Sequence, residues 1–235
     1  MSNKNLHKVN ILLEGYDIDA LWLYGDLKEY VSPESKVAII AFSFRDEKVR
    51  SADDWEKLFS REQGCYYGGI VNSLKAYGLN EEQISFINYF SDSRESAAKK
   101  IENADILYFP GGLPDRMMER IKEFGLYDAI LHHSGIFLGY SAGAVIQLKE
   151  YHLSPDKDYS EFSYYEGFPF IEDFYLEVHY QGTEEQNNSI ERILFERKKP
   201  VYALEAFSGA IIVDNGKIKT IGKVKEFTNK RKTND

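Results

Sequence analysis

The chain has 235 residues, with 29 Lys and Arg against 38 Asp and Glu, a formal net charge of −9, and 43% hydrophobic residues. This size and composition predict a single globular domain over residues 1–235, and the 17 Tyr and 15 Phe exclude a disordered chain. No apolar run reaches the ~20 residues of a membrane span, and an acidic chain repels phosphate backbones. Neither a membrane nor a nucleic acid is therefore an expected partner.

The polar ends of the chain and its cysteine content predict where in the cell the protein lies. The first eight residues are polar and lack the apolar core of a signal peptide, and Cys65 has no second cysteine to pair with. A basic, polar tail is expected at about residues 224–235. These features predict a cytoplasmic protein.

Short β-rich runs alternate with helical patterns along the chain, which is typical of a parallel α/β sheet. Strands are predicted at 9–13, 36–42, 84–89, 106–109 and 136–140, and helices begin near Ser51, before Ile70, at an Asp92/Glu95 capping box and at Pro114. Residues 151–170 read as a long polar loop rich in aromatic residues. Strands follow at 174–180, 200–204, 209–213 and 218–221, with a tight turn at 214–216.

The strongest chemical signal is Gly139-Tyr-Ser-Ala-Gly-Ala144, a G-x-S-x-G pattern between a predicted strand and a helical stretch at 145–149. Glycines are needed on both sides of Ser141 because the turn is sharp and its backbone strained. Such a turn lifts the Ser141 hydroxyl above the sheet edge, where the Ala142 amide can stabilise an oxyanion. Ser141 is the predicted nucleophile.

A serine nucleophile needs a base, and His179 is the best placed of the five histidines because it ends a predicted strand. His7, His132, His133 and His152 are interpreted as surface or structural groups. The carboxylate that orients the base is left open by the residues alone, with Asp156, Asp158, Asp173 and Glu205 as candidates.

A second oxyanion donor is expected at Pro110-Gly111-Gly112, where glycines let backbone amides approach a ligand. This loop lacks the spacing of a phosphate-binding loop. No zinc-ligand spacing occurs in the chain, and no metal or other cofactor is expected.

Together, the segments 106–112, 139–144 and 177–180 with Asp156 resemble the serine peptidase family of peptidase E (aspartyl dipeptidase) and cyanophycinase. The resemblance spans roughly residues 37–213. It implies a class I glutamine amidotransferase-like fold, an α/β three-layer sandwich with a mostly parallel central sheet. It also implies Ser141 as nucleophile, His179 as base, Asp156 as the triad acid, and Gly112 and Ala142 as the oxyanion amides.

The sequence departs from that family where specificity is expected. Leu113 and Pro114 replace an Asn-Thr pair, and residues 181–190 hold no Arg to bind an aspartyl carboxylate, with Gln186 near that place. The substrate pocket is therefore expected to be apolar and aromatic, and Asp-X dipeptides to be poor substrates. The expected substrate-binding residues are Gly111, Leu113, Tyr140 and Glu205, together with the Tyr164-Tyr165 pair.

These observations predict a hydrolase that cleaves a small peptide or amide through an acyl-enzyme, as a monomer or a homodimer. An esterase or amidase acting on a non-peptide substrate remains open, as does a catalytically silent binding protein of the same fold. A glutamine amidotransferase is disfavoured because Cys65 lies far from the elbow in sequence.

Overall fold

The computed structural model describes residues 7–229, apart from the side chain of Phe207. The strands are β1 Lys8–Leu13, β2 Val37–Ile40, β3 Ile84–Ile87, β4 Ile106–Phe109, β5 Gly135–Tyr140, β6 Glu150–Leu153, β7 Ser163–Glu166, β8 Tyr175–Tyr180, β9 Val201–Asp214 and β10 Lys217–Phe227. The helices are α1 Leu21–Leu27, α2 Ala52–Phe59, α3 Tyr67–Lys75, α4 Arg94–Glu102, α5 Pro114–Glu123, α6 Tyr127–Leu131, α7 Ala142–Val145 and α8 Glu184–Glu196, with a short 3-10 helix at Glu81–Gln83.

One large sheet carries eight of these strands in the order β10-β9-β1-β5-β4-β2-β3, and β8 pairs with the first part of β9. The β1–β5, β5–β4, β4–β2, β2–β3 and β8–β9 pairs are parallel, whereas β9 runs antiparallel to both β1 and β10. Parallel neighbours end at the same edge, so the loops after β1, β2, β4 and β5 meet there.

Helices cover both faces of this sheet. On one face, Leu13 and Leu138 pack with residues of α1, α2 and α3. On the other face, Leu12 and Phe109 pack with residues of α4, α5 and α6. Strands buried on both faces read as continuous apolar runs, which is why the strand positions were readable from the sequence. The predicted α/β three-layer architecture is confirmed.

Local details differ from the sequence expectations. Residues 200–204 and 209–213 form one long strand, β9, because it pairs with β8 along its first part and with β1 along its last. The predicted loop at 151–170 contains the β6–β7 hairpin, and residues 224–227 of the expected tail belong to β10.

The helix boundaries also shift. Ser93, not Asp92, caps α4, because the Asp92 carboxylate binds Lys100 instead.

Within the described residues, no helix combines the length and the apolar character that crossing a membrane requires.

Candidate active site

Ser141 lies in a strained turn between β5 and α7. Its backbone has φ 51° and ψ −113°, a positive φ that a residue with a side chain rarely adopts. The Ser141 amide donates to the Leu13 carbonyl at the end of β1, at 2.9 Å, which anchors the turn to the neighbouring strand. The helix after the serine begins at Ala142, three residues before the helical stretch predicted from the sequence.

The two glycines of the elbow are required by close backbone contacts. A Cβ on Gly139 would lie 2.0 Å from the Gly143 carbonyl oxygen, and a Cβ on Gly143 would lie 1.9 Å from that of Phe109. Both neighbours are backbone atoms, which cannot rotate away as a side chain would. The glycines therefore let α7 approach the ends of β4 and β5 closely enough to place Ser141 at the sheet edge.

Gly143→Ala is expected to destabilise the protein by at least about 2 kcal/mol, because the new methyl group overlaps backbone in a packed region. For a chain of this size that is a fall in Tm of about 4–8 °C, measured by thermal unfolding. Gly25→Ala is the matched control, since nothing lies within 4 Å of its added Cβ on the exposed face of α1. A Tm for Gly143→Ala within 1 °C of the parent would contradict the packing argument.

His179 contacts the serine directly. Ser141 Oγ and His179 Nε2 lie 2.7 Å apart, within hydrogen-bonding distance, although the two residues are 38 positions apart in sequence. His179 also has a positive φ of 55°, at an irregularity in the pairing of β8 with β9 that lies between Glu177 and Tyr180. This bulge turns the imidazole from the strand toward Ser141.

The carboxylate on the other ring nitrogen is Glu14. His179 Nδ1 hydrogen-bonds Glu14 Oε1, and the Glu14 side chain is only 3% exposed. Glu14 directly follows β1 and Ser141 directly follows the neighbouring strand β5, so the two residues emerge side by side. The chain thus forms a Ser141–His179–Glu14 relay across the ends of β5, β8 and β1.

Asp156, expected to be the triad acid, makes different contacts. Its Oδ1 accepts the backbone N–H groups of Asp158 and Tyr159 at 2.7 and 2.9 Å, closing a turn at the tip of the β6–β7 hairpin. The carboxylate that the structure places on His179 Nδ1 is that of Glu14, and not that of Asp156 as expected. Asp156 stabilises its own loop, as aspartates in turns commonly do.

The Gly112 and Ala142 amides flank Ser141, and both residues line the same cavity as the serine. Neither amide donates a hydrogen bond within residues 7–229. Gly112 has φ 139°, and a Cβ there would lie 2.3 Å from the Ser43 carbonyl oxygen. Only glycine fits this close approach, which leaves the amide available to a ligand.

Ser43, which the sequence did not single out, forms hydrogen bonds with the residues on both sides of Gly112. Its hydroxyl donates to the Gly111 carbonyl at 2.5 Å, and its own carbonyl accepts the Leu113 N–H at 2.8 Å. In a trans peptide the C=O and the next N–H point in opposite directions. Holding the Gly111 carbonyl toward Ser43 therefore orients the Gly112 N–H away from Ser43.

Ser43→Ala is expected to lower kcat for peptide hydrolysis about 10-fold with little change in KM, because a misaligned amide weakens only transition-state binding. Steady-state kinetics provide the measurement. Ser73→Ala, which removes a buried hydroxyl bound to the Ile70 carbonyl within α3, is the control for a purely structural loss. Equal kcat losses in both variants would remove the positioning role.

A cavity of about 890 Å³ opens beside Ser141. Much of its wall is polar or charged, including Arg45, His152, Asp156, Asp158, Glu177, Glu185 and Gln186. Arg45 and Asp158 form an ion pair across it at 2.5 Å, and the hydrogen bond from Arg45 holds the pKa of Asp158 below its usual value. Burial, followed by the hydrogen bond to Asp115, raises the pKa of Tyr159. The Arg45–Asp158 ion pair connects the β6–β7 hairpin to the loop after β2.

The residues expected to bind substrate do not line this cavity, whose wall includes apolar side chains such as Val145, Leu153 and Leu176 beside the polar ones. Gly111, Leu113, Tyr140 and Glu205 are absent from the wall of the cavity, as are Tyr164 and Tyr165. Tyr140 packs edge-on against Tyr16, and burial raises its pKa to about 12. Glu205 pairs with Lys225 at 2.9 Å.

Glu14 is the site residue that the sequence reading missed. The available signal was an acidic residue directly after the buried strand 9–13, the same strand-end position that selected His179.

Among residues 7–229, no group of three or more His, Cys, Asp or Glu side chains is arranged to hold a metal ion.

The fold and this site can be compared with known proteins. Two crystal structures share the fold: a protein from Listeria monocytogenes EGD-e described as a candidate peptidase E has 18% identity and a TM-score of 0.65, covering 92% of this chain and 99% of its own. A peptidase from an acI-B1 actinobacterium has 16% identity and a TM-score of 0.59, covering 96% of each chain. No curated protein matches the sequence significantly.

A strained serine after a central strand, in contact with a histidine, defines the class of a serine-type hydrolase of α/β fold. The sequence profile of Peptidase family S51 matches residues 60–221. The chain belongs to peptidase family S51 and is a serine-type peptidase. The predicted relationship to peptidase E is confirmed.

Proposed function

We propose that this protein hydrolyses small peptides through an acyl-enzyme formed on Ser141, with His179 as the base and Glu14 as the acid of the triad. The observation that carries the proposal is the continuous Ser141–His179–Glu14 hydrogen-bonded relay. Glu14 accepts from Nδ1–H, which leaves Nε2 as the acceptor of the serine proton.

In the proposed first step, Ser141 Oγ attacks the scissile carbonyl carbon while its proton moves to His179 Nε2. The buried Glu14 carboxylate stabilises the imidazolium, and the Gly112 and Ala142 amides donate to the oxyanion. When the C–N bond breaks, His179 returns the proton to the leaving amine. A water molecule then gives a proton to His179 as it attacks the ester carbon, and His179 passes that proton to Ser141 Oγ when the ester C–O bond breaks.

A fluorophosphonate probe tests the first step, because it phosphonylates a serine only when a base has activated the hydroxyl. The expected result is one label per chain, located at Ser141 by mass spectrometry of the digested protein. A panel of dipeptides assayed beside p-nitrophenyl esters then separates a peptidase from an esterase. An unlabelled Ser141 in the folded protein would overturn the proposed function.

A further inference from the structure

The proposed base lies in a bulge of β8. Two residues of this strand, Val178 and His179, lie opposite the single residue Leu204 of β9. His179 has a positive φ of 55°, a conformation that a residue with a side chain keeps only when surrounding contacts hold it there. A bulge also interrupts the regular hydrogen bonds between the two strands. The orientation of the imidazole toward Ser141 therefore needs support from outside the β8–β9 ladder.

Gln186, in the first turn of α8, supplies contacts to this bulge. Its side-chain amide nitrogen donates to the His179 carbonyl and to Glu177 Oε1, both at 3.1 Å. Its Oε1 accepts the backbone N–H of Gln181 at 2.9 Å. One side chain thus joins the strand before the base, the base itself and the strand after it.

The surroundings fix the orientation of the Gln186 amide. A carbonyl and a carboxylate lie beside its nitrogen and an N–H lies beside its oxygen, so exchanging the two atoms would put oxygen against oxygen. The helix fixes the other end of the residue, because Thr183 Oγ1 caps α8 by accepting the Gln186 backbone N–H at 3.3 Å. A side chain held in this way restrains the strand that it binds.

Gln186 also lines the cavity beside Ser141. A substrate contact would use its amide, yet both amide protons already have acceptors in the protein and the oxygen already has a backbone donor, which leaves one lone pair. The hydrogen bonds of this side chain are therefore directed mainly at β8, and only secondarily at a ligand.

We propose that Gln186 is a positioning residue for the base, whose three side-chain hydrogen bonds hold the bulge of β8 in the conformation that directs His179 toward Ser141. This inference rests on the proposed function. A displacement of about 1 Å in a reacting group can cost on the order of 10²-fold in rate. Restraint of the backbone at His179 is thus expected to affect the chemical step directly.

The rate at which a fluorophosphonate with short alkyl groups labels Ser141 tests this role, because the small probe depends on the serine and its base. Gln186→Met keeps the length of the side chain and removes its three hydrogen bonds, whereas the cap with Thr183 uses backbone and is retained. We expect the second-order labelling rate constant to fall at least about 10-fold. For the best dipeptide, kcat should fall by a similar factor with KM within about 3-fold of the parent.

Asn187→Leu is the matched control. Asn187 is the next residue of the same helical turn, where its side chain accepts from the Tyr180 hydroxyl at 2.8 Å and donates to the Gly182 carbonyl at 3.1 Å. These contacts hold the chain beyond the base, and Asn187 is not part of the cavity wall. The labelling rate constant should stay within about 3-fold of the parent, even where Tm falls as far as it does in Gln186→Met.

Amide hydrogen exchange in the parent protein provides a second test, which needs no variant. Gln181 is an exposed residue, yet its N–H is bound by the Gln186 side chain. We expect this amide to exchange at least about 10-fold more slowly than an unprotected amide of the same sequence, and the protection to be lost in Gln186→Met. Unprotected exchange at Gln181 in the parent overturns the inference, whether or not Gln186→Met folds.

An unchanged labelling rate in a folded Gln186→Met protein also overturns the inference, and a rise in KM alone would assign Gln186 to substrate binding instead. Equal losses in Gln186→Met and Asn187→Leu overturn it as well, because they would reflect a general loosening of α8 against β8. Labelling keeps the two proposals distinguishable. A labelled parent whose rate does not depend on Gln186 refutes the positioning role alone, whereas an unlabelled parent overturns the proposed function and this role with it.

Discussion

Ser141→Ala is expected to lower kcat for peptide hydrolysis by about 10⁶, since the serine, its base and the acid act as one unit. The variant should remain folded, because the Ser141 amide that anchors the turn to Leu13 is backbone. Fluorophosphonate labelling should disappear together with hydrolysis. The measurements are single-turnover or steady-state hydrolysis of the best dipeptide and intact-mass analysis after labelling.

Ser163→Ala provides the control for this experiment, because Ser163 lies on the β6–β7 hairpin outside the residues that line the cavity. Labelling and hydrolysis should both match the parent protein. Retention of more than about 1% of the parent kcat by Ser141→Ala would show that the acyl group is not formed on this hydroxyl.

Glu14→Gln should lower kcat by about 10⁴ while preserving the fold, as loss of the acid does in other serine triads. The glutamine can present an N–H to His179 where the carboxylate only accepts, which stabilises the wrong tautomer of the ring. KM should change little, because Glu14 is buried behind the histidine. The kinetics should be measured alongside Tm, so that loss of the triad acid is separated from unfolding.

Asp156→Asn tests the other candidate for the triad acid and should be compared with Glu14→Gln. An asparagine side chain also accepts backbone N–H groups in a turn, so the hairpin should persist and kcat should stay within about 3-fold of the parent. The reverse pattern, a large loss of kcat with Asp156→Asn and none with Glu14→Gln, would show that Asp156 rather than Glu14 is the triad acid.

The two residues at the centre of the site were predictable because their signals are local. Ser141 lies between glycines, after an apolar strand and before a helix, and each of those features is visible within about ten residues. His179 ends an alternating strand. Their contact at 2.7 Å depends on the fold, yet an α/β sheet gathers strand ends at one edge, which made the pairing reasonable to expect.

The carboxylate that contacts His179 was not predictable in the same way. Aspartates in a polar loop near the serine in sequence looked suitable, and the family resemblance favoured Asp156. The side chain that reaches His179 is 165 positions away, because β1 lies in the sheet between β5, which Ser141 follows, and β9, the partner of β8. Strand order, rather than sequence distance, decides which carboxylate lies beside His179.

The sequence alone determined the alternation of strands and helices, the α/β layers and the serine elbow, because hydrophobic period, glycine placement and strand-to-helix spacing act over short stretches of chain. Only the tertiary structure decided that Glu14 binds His179, that Ser43 holds the Gly112 loop, and that the cavity is acidic around Glu177. Those choices depend on which strand ends become neighbours and which side chains share a buried volume, and such long-range packing leaves no periodic trace in the sequence.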